Sequence, residues 1–156
     1  MQYNTEKFSL NLLIFFLLLS VGFILHFNFY GSDHDTYSII NTFIVLINEG
    51  RYVPSRTFGF PISELIIGSS VYFLGSYFTK YFIYFLFLMS LVFFYHSLNT
   101  ENRNSINFKL FIFLILSNSV LIFDNINITD YPLALFFLSA GFFLYKNKKY
   151  YLAIIL

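Results

Sequence analysis

The stretch Pro61-Ile-Ser-Glu-Leu-Ile-Ile-Gly-Ser-Ser-Val-Tyr-Phe-Leu-Gly-Ser76 decides how many times this chain crosses a membrane. It is mostly apolar, but it is short for a span and contains Glu64, Gly68 and Gly75. A helix rises about 1.5 Å per residue, so about 20 apolar residues are needed to cross a hydrocarbon core of about 30 Å. We therefore predict that residues 61–76 lie at the outer membrane surface and do not cross it.

The composition of the whole chain indicates a membrane protein. Of its 156 residues, 58% are hydrophobic and 11% are charged. The mean hydropathy of +0.70 exceeds what a soluble domain of this length needs for its core. A net charge of +1 argues against a nucleic-acid partner, and the absence of cysteine excludes disulfides and thiolate metal sites. We predict one all-α membrane domain over residues 1–156.

The distribution of Lys and Arg orients the predicted spans. Positive residues concentrate on the cytoplasmic side of membrane proteins. With residues 61–76 outside, Lys7, Arg103 and the lysine cluster at 146–149 all become cytoplasmic; if 61–76 crossed, that cluster would lie outside. This arrangement gives a cytoplasmic N-terminus, a large external loop and a small one. The four predicted transmembrane helices are residues 8–30, 81–98, 107–123 and 132–145, and the external loops are residues 31–80 and 124–131.

Two further segments look helical without spanning. Residues 36–49 combine an apolar side with a narrow polar stripe, which suits an interfacial helix capped by Asp35 or Ser32 and ended by Gly50 in a left-handed turn. Residues 150–156 begin a new apolar run that reaches only about 10 Å. This run predicts a truncated further helix, so we expect the sequence to be an N-terminal fragment of a longer polytopic protein. The alternative is a tail that lies in the interface.

Four aspartates fall in the predicted external loops, namely Asp33, Asp35, Asp124 and Asp130. An aspartate near lipid headgroups loses hydration, which makes it a better general base. Helix capping alone can explain Asp35 or Asp130, and Asp124 marks the end of an apolar segment. Asp33 and Asp35 cannot both be explained as caps of one helix.

Three basic residues share the predicted external side, namely Arg51, Arg56 and Lys80. One interpretation is that they contact lipid headgroups. The other is a phosphate site, because guanidinium groups bind phosphate oxygens through paired hydrogen bonds. Glu64 would then orient one of the arginines, or it would simply face water.

Three short motifs, in their order along the chain, resemble the N-terminal part of a GT-C-type glycosyltransferase. This group includes protein O-mannosyltransferases and lipid A aminoarabinose transferases. Asp33-His-Asp-Thr-Tyr37 resembles the acidic motif of the first external loop, with His34 where the family has Glu. The segment from Gly50 to Glu64 resembles a loop of bacterial members, and Asp130-Tyr-Pro-Leu133 resembles the second-loop Asp-x-Pro-Leu. The resemblance covers nearly the whole chain.

The resemblance implies a membrane glycosyltransferase that uses a polyprenyl-phosphate sugar donor and a glycan, lipid or protein acceptor at the outer face of a bacterial inner membrane. Asp33 would be the base, with Asp35 as its rival, and Asp130 would orient a substrate. Tyr37, whose spacing identifies the motif, and Glu64 would be orienting residues. Arg51, Arg56 or Lys80 would stabilise the departing lipid phosphate. Some relatives use a divalent metal; no cofactor is specified by these residues.

Two other classes of protein remain compatible with the sequence. A polytopic transporter or lipid-handling protein would place ionisable groups near the bilayer midplane, and these spans contain almost none. A small non-catalytic membrane subunit would use the aspartates only as caps. If the chain is a fragment of the enzyme, we expect it to be inactive by itself.

Overall fold

The computed structural model describes residues 21, 34–57, 60–98, 108–118 and 127–155. All regular structure in this part of the chain is helical, which confirms the all-α class. The predicted first span lies outside the described residues except for Val21, and so do Asp33 and Asp124. The helices are α1 (His34–Glu49), α2 (Pro61–Ser97), α3 (Phe108–Leu116), α4 (Tyr131–Lys146) and α5 (Tyr150–Ile155).

Helix α1 has the stop signal that the sequence predicts, but it begins at His34, before Asp35, so Asp35 is not its cap. It ends at Glu49, and Gly50 follows with a φ of +66° while its N–H donates to the carbonyl of Leu46. Ile39 and Phe43 are buried against α2. Gly68 makes this contact possible, because a Cβ on it would lie 2.4 Å from Cβ of Phe43. The two helices therefore cross at close range.

Helix α2 is a hairpin of two arms, not one straight rod. Pro61 occupies its first position, as predicted, and Gly75 interrupts it with a φ of 82° and a ψ of 169°. The hydroxyls of Ser70 and Thr79 are 2.9 Å apart, whereas nine residues of straight helix would separate them by about 14 Å. The arms, residues 61–74 and 76–97, therefore fold back on each other around Gly75. The sequence places the boundary between residues 76 and 81, close to this break.

One helix in the described part, α2, is long and apolar enough to cross a membrane by length and composition. Its second arm alone, residues 76–97, is about 33 Å long, which matches the hydrocarbon core of a bilayer. The first arm is about 21 Å long and falls short of that thickness. Helix α4 is apolar as well, but its 16 residues reach only about 24 Å.

Helices α3 and α4 both pack on the second arm of α2. Tyr84, Phe87 and Leu91 form a core cluster with two residues of α3. On α4, the ring of Phe143 stacks 5.3 Å from that of Phe93. A second core cluster joins α1, both arms of α2 and the loop before α4; its members are Ile39, Ile67, Val71, Ile83 and Ile128. This cluster fixes the start of α1 beside the start of α4.

Candidate functional site

Arg56 joins the two acidic segments that the sequence singles out. Its Nη2 lies 2.8 Å from Oδ2 of Asp35, and its Nη1 lies 3.3 Å from Oδ2 of Asp130. Nη2 is also 3.5 Å from Oδ1 of Asp130. The pairs are separated by 21 and 74 residues in the sequence, so only the fold brings them together. We call Asp35, Arg56 and Asp130 the ion triad; its formal charge is −1.

The three side chains of the ion triad differ in burial. The side chain of Asp130 is 11% exposed, that of Arg56 26% and that of Asp35 39%. Burial reduces solvent screening, so a charge lost from the Asp130 side leaves a larger penalty than one lost from the Asp35 side. Asp35 is thus the solvent-facing member, and Asp130 is the buried one.

Local structure at two helix starts places the aspartates. Asp130 occupies the N-cap position of α4, but its side chain makes no capping hydrogen bond, so the capping interpretation does not account for it. Asp35 lies inside the first turn of α1, where a carboxylate interacts favourably with the helix dipole, and not at a cap position. Thr36 donates to the carbonyl of Ile128 at 2.9 Å and ties the two helix starts together.

Glu64 neither faces water nor contacts an arginine in the described part of the chain. It is fully buried in the first turn of α2. Its Oε1 accepts hydrogen bonds from the backbone N–H of Ser55 at 3.1 Å, the hydroxyl of Ser55 at 2.5 Å and the backbone N–H of Phe60 at 3.2 Å. Its Oε2 accepts a hydrogen bond from the hydroxyl of Tyr52. Glu64 therefore holds the loop that carries Arg56.

Tyr52 responds to this buried carboxylate. Burial, the hydrogen bond to Glu64 and the charge of Glu64, in that order, raise the pKa of Tyr52 to about 12. The residue as a whole is still 39% exposed. The phenol therefore stays protonated and remains a donor to Glu64 across the physiological pH range.

The structure does not bring Arg51 and Lys80 into the ion triad. Arg51 is exposed and pairs with Glu49 at the far end of α1, about 21 Å along the helix axis from Asp35. Lys80 lies in a helix and not in a loop: it belongs to the second arm of α2 and is only 2% exposed, because the break comes earlier, at Gly75. Tyr37 is 54% exposed on α1.

A groove of about 630 Å³ opens beside the ion triad, between the start of α2 and the first turns of α4. Arg56 and Asp130 line one part of it, and the guanidinium carbon of Arg56 lies 5.7 Å from the ring centroid of Phe60. Nε of Arg56 is buried and has no hydrogen-bond partner among the described residues. The remaining walls are mostly apolar and come from Pro61, Ile62, Ser63, Tyr131, Leu133, Ala134 and Phe137.

This groove can hold an amphiphilic molecule. Its charged part offers hydrogen-bond donors and carboxylate acceptors, and its apolar walls would cover a hydrocarbon chain. Among the residues that the structure describes, no three acidic or histidine side chains converge to hold a metal ion.

Comparison with known proteins adds no assignment: no family model, curated protein or solved structure matches this chain. The site must be interpreted from its own residues. Sequence patterns indicate the aspartates and Arg56, but not Tyr52 and Ser55. These two are neutral residues in a turn-rich loop, and their spacing from Glu64 follows no motif of helix or strand.

Proposed function

We propose that this chain belongs to a membrane glycosyltransferase that moves a sugar from a polyprenyl-phosphate donor to an acceptor hydroxyl at the outer membrane face. The observation that carries the proposal is the bridge from Arg56 to Asp35 and Asp130, which unites both acidic loops at the edge of an amphiphilic groove. The proposal includes four spanning helices, a cytoplasmic N-terminus and a bacterial inner membrane. The acceptor is a glycan, lipid or protein hydroxyl.

In this proposal Asp33 is the general base. It takes the proton of the acceptor hydroxyl, and the resulting oxygen attacks the anomeric carbon from the face opposite the phosphate. The bond between that carbon and the phosphate oxygen breaks, and its electron pair leaves with the lipid phosphate. A hydroxyl is a weak nucleophile near neutral pH, so the reaction needs a positioned base. Asp35 is already paired with Arg56, which favours Asp33 for this role.

Arg56 is the donor that we assign to the lipid phosphate. Its two terminal nitrogens are engaged by Asp35 and Asp130, and Nε is the unpaired one. A leaving phosphate gains negative charge as its bond to carbon breaks, so a donor held in place beforehand stabilises the transition state. Because the ion triad carries a formal charge of −1 and Nε is buried, the phosphate must compete with a carboxylate for a terminal nitrogen of Arg56. Arg51 and Lys80 have no part in this proposal.

Lipid binding is tested with a photoreactive polyprenyl phosphate and the protein in nanodiscs. We expect crosslinks to the groove wall at Ile62, Leu133 or Phe137, and we expect unlabelled polyprenyl phosphate to suppress them. A polyprenol without phosphate should suppress them poorly. Arg56→Gln should weaken the crosslink, whereas the matched Arg51→Gln should not. Equal competition by polyprenol and polyprenyl phosphate would show that phosphate is not recognised and would contradict the role of Arg56.

Sugar transfer is tested in membranes that contain the whole protein, with polyprenyl-phosphate hexoses labelled in the sugar. Asp33→Asn should abolish transfer without loss of membrane insertion. If Asp33→Asn retains transfer and Asp35→Asn loses it, the base lies two residues later. If both variants transfer sugar at the parent rate, the proposed chemistry is wrong.

The non-catalytic alternative has one observation in its favour: both terminal nitrogens of Arg56 are already bound by carboxylates. In that case the ion triad only fastens α1, the loop that carries Arg56 and α4 to one another. This alternative predicts that Arg56→Gln lowers stability but leaves the lipid crosslink unchanged. The crosslinking experiment therefore separates the two functions.

A further inference from the structure

The buried carboxylate of Glu64 has a conspicuous set of partners. It accepts four hydrogen bonds, and all four come from residues 52–60. All the donors are neutral, so in the described structure the negative charge is stabilised by these hydrogen bonds and by the N-terminal end of α2, and not by a paired cation. The loop cannot move away without leaving a buried charge unsatisfied.

The hydrogen bonds to Oε1 of Glu64 hold the two ends of the segment that carries Arg56. The backbone N–H groups of Ser55 and Phe60 both donate to this single oxygen atom, at 3.1 Å and 3.2 Å. The hydroxyl of Ser55 donates to the same atom. Two of these bonds come from Ser55, and Arg56 is the next residue in the chain. The guanidinium group of Arg56 lies between Asp35 and Asp130, so the anchor is one residue away from the side chain that links them.

We propose that Glu64 is the positioning residue of the site, and that it places Arg56 between Asp35 and Asp130 by holding both ends of the segment 55–60. Glu64 itself touches neither aspartate in the described structure, and it acts through Ser55. The inference uses the proposed function only to give Arg56 its role. The position of Arg56 can be tested without any sugar transfer.

The reactivity of Arg56 towards phenylglyoxal, an arginine-specific reagent, measures this position. Arg56 is paired and largely covered, whereas Arg51 has an exposed side chain and serves as the internal reference. Peptide mapping by mass spectrometry separates their modification rates in the whole protein in nanodiscs. In the parent protein we expect Arg56 to react several-fold more slowly than Arg51. In Glu64→Ala we expect the rate at Arg56 to rise several-fold while that at Arg51 stays constant.

Three further variants separate positioning from general loss of structure. Ile67→Ala removes a fully buried side chain one turn from Glu64 that belongs to the core cluster and makes none of the hydrogen bonds to Glu64, so it should destabilise the protein but leave Arg56 protected. Glu64→Gln keeps the shape and one carbonyl acceptor, so it should give an intermediate rate. Ser55→Ala removes one donor, and it should raise the rate slightly; it also replaces Glu64→Ala if that variant fails to insert.

The possible outcomes are distinct. Unchanged reactivity of Arg56 in Glu64→Gln, Glu64→Ala and Ser55→Ala would overturn the inference, and so would an equal rise in Ile67→Ala. If Arg56 becomes reactive as expected but the parent protein transfers no sugar, the positioning role stands and the proposed function fails. If transfer is found but the reactivity of Arg56 does not depend on Glu64, the proposed function stands and the positioning role fails.

Discussion

Replacing Arg56 by glutamine removes the cation that links Asp35 to Asp130. At an effective dielectric constant of about 20, unit charges 3.3 Å apart attract by about 5 kcal/mol before desolvation is subtracted. Exposed ion pairs contribute about 0–1 kcal/mol, and breaking a buried pair costs about 3–5 kcal/mol. The pair with Asp130 resembles a buried ion pair, and the pair with Asp35 resembles an exposed one. We therefore expect Arg56→Gln to lower the free energy of unfolding by about 2–3 kcal/mol.

Double-mutant cycles divide this loss between the two aspartates. The Arg56–Asp130 pair should show a coupling of about 1–2 kcal/mol, and the Arg56–Asp35 pair less than about 1 kcal/mol, although the latter is shorter. The assay is equilibrium unfolding in mixed micelles followed by far-UV circular dichroism. Arg51→Gln is the matched control, and it should cost less than about 0.5 kcal/mol because its pair is exposed. A larger coupling to Asp35 than to Asp130 would refute the reasoning that burial outweighs distance here.

Three other perturbations follow from the structure. Gly68→Ala should destabilise the protein by about 1–3 kcal/mol in the same unfolding assay, because the new methyl group would lie 2.4 Å from Cβ of Phe43; an unchanged midpoint would mean that the helices do not cross there. Gly75→Ala should cost about 1–2 kcal/mol through backbone strain alone, since its φ is +82° and the space around it is open; no loss would argue against the hairpin. The raised pKa of Tyr52, about 12 against its ordinary 10.0, contributes stability that is complete below pH 10 and is lost as the pH rises towards 12. In Glu64→Gln the pKa of Tyr52, measured by NMR of ring-labelled tyrosine, should fall because two causes of its shift depend on Glu64; an unchanged value would contradict the contact.

Much of the helical organisation could be predicted because its signals are local. The ends of α1 and α4, the left-handed Gly50 and the first position of Pro61 each depend on a few neighbouring residues. The folding back of α2 at Gly75 depends on contacts between its arms, such as that of Ser70 with Thr79, which no short pattern contains. The position of Lys80 inside a helix was missed for the same reason.

The sequence singles out the three residues of the ion triad, but it does not show how they pair. Asp35, Arg56 and Asp130 stand out because charges are rare in this chain and because the distribution of lysine predicts that all three lie on one side of the membrane. The pairing among them was not predicted, since the resemblance assigned Arg56 directly to phosphate. The burial of Glu64 by neutral donors could not be predicted either, because two hydroxyls and two backbone N–H groups leave no mark in composition or charge.

We propose that the loop with Arg56 and the loop with Asp130 lie on one membrane face, opposite the lysine cluster at 146–149. The chain contains no cysteine, so single cysteines at Val53, Asn127 and Asn147 can be labelled without background. Val53 lies in the Arg56 loop and is 41% exposed, and Asn127 lies just before Asp130. An impermeant thiol reagent added to intact cells should label the first two cysteines and should reach the third only after the membrane is opened. Labelling of Asn147→Cys in intact cells, or of only one of the other two, would contradict the account.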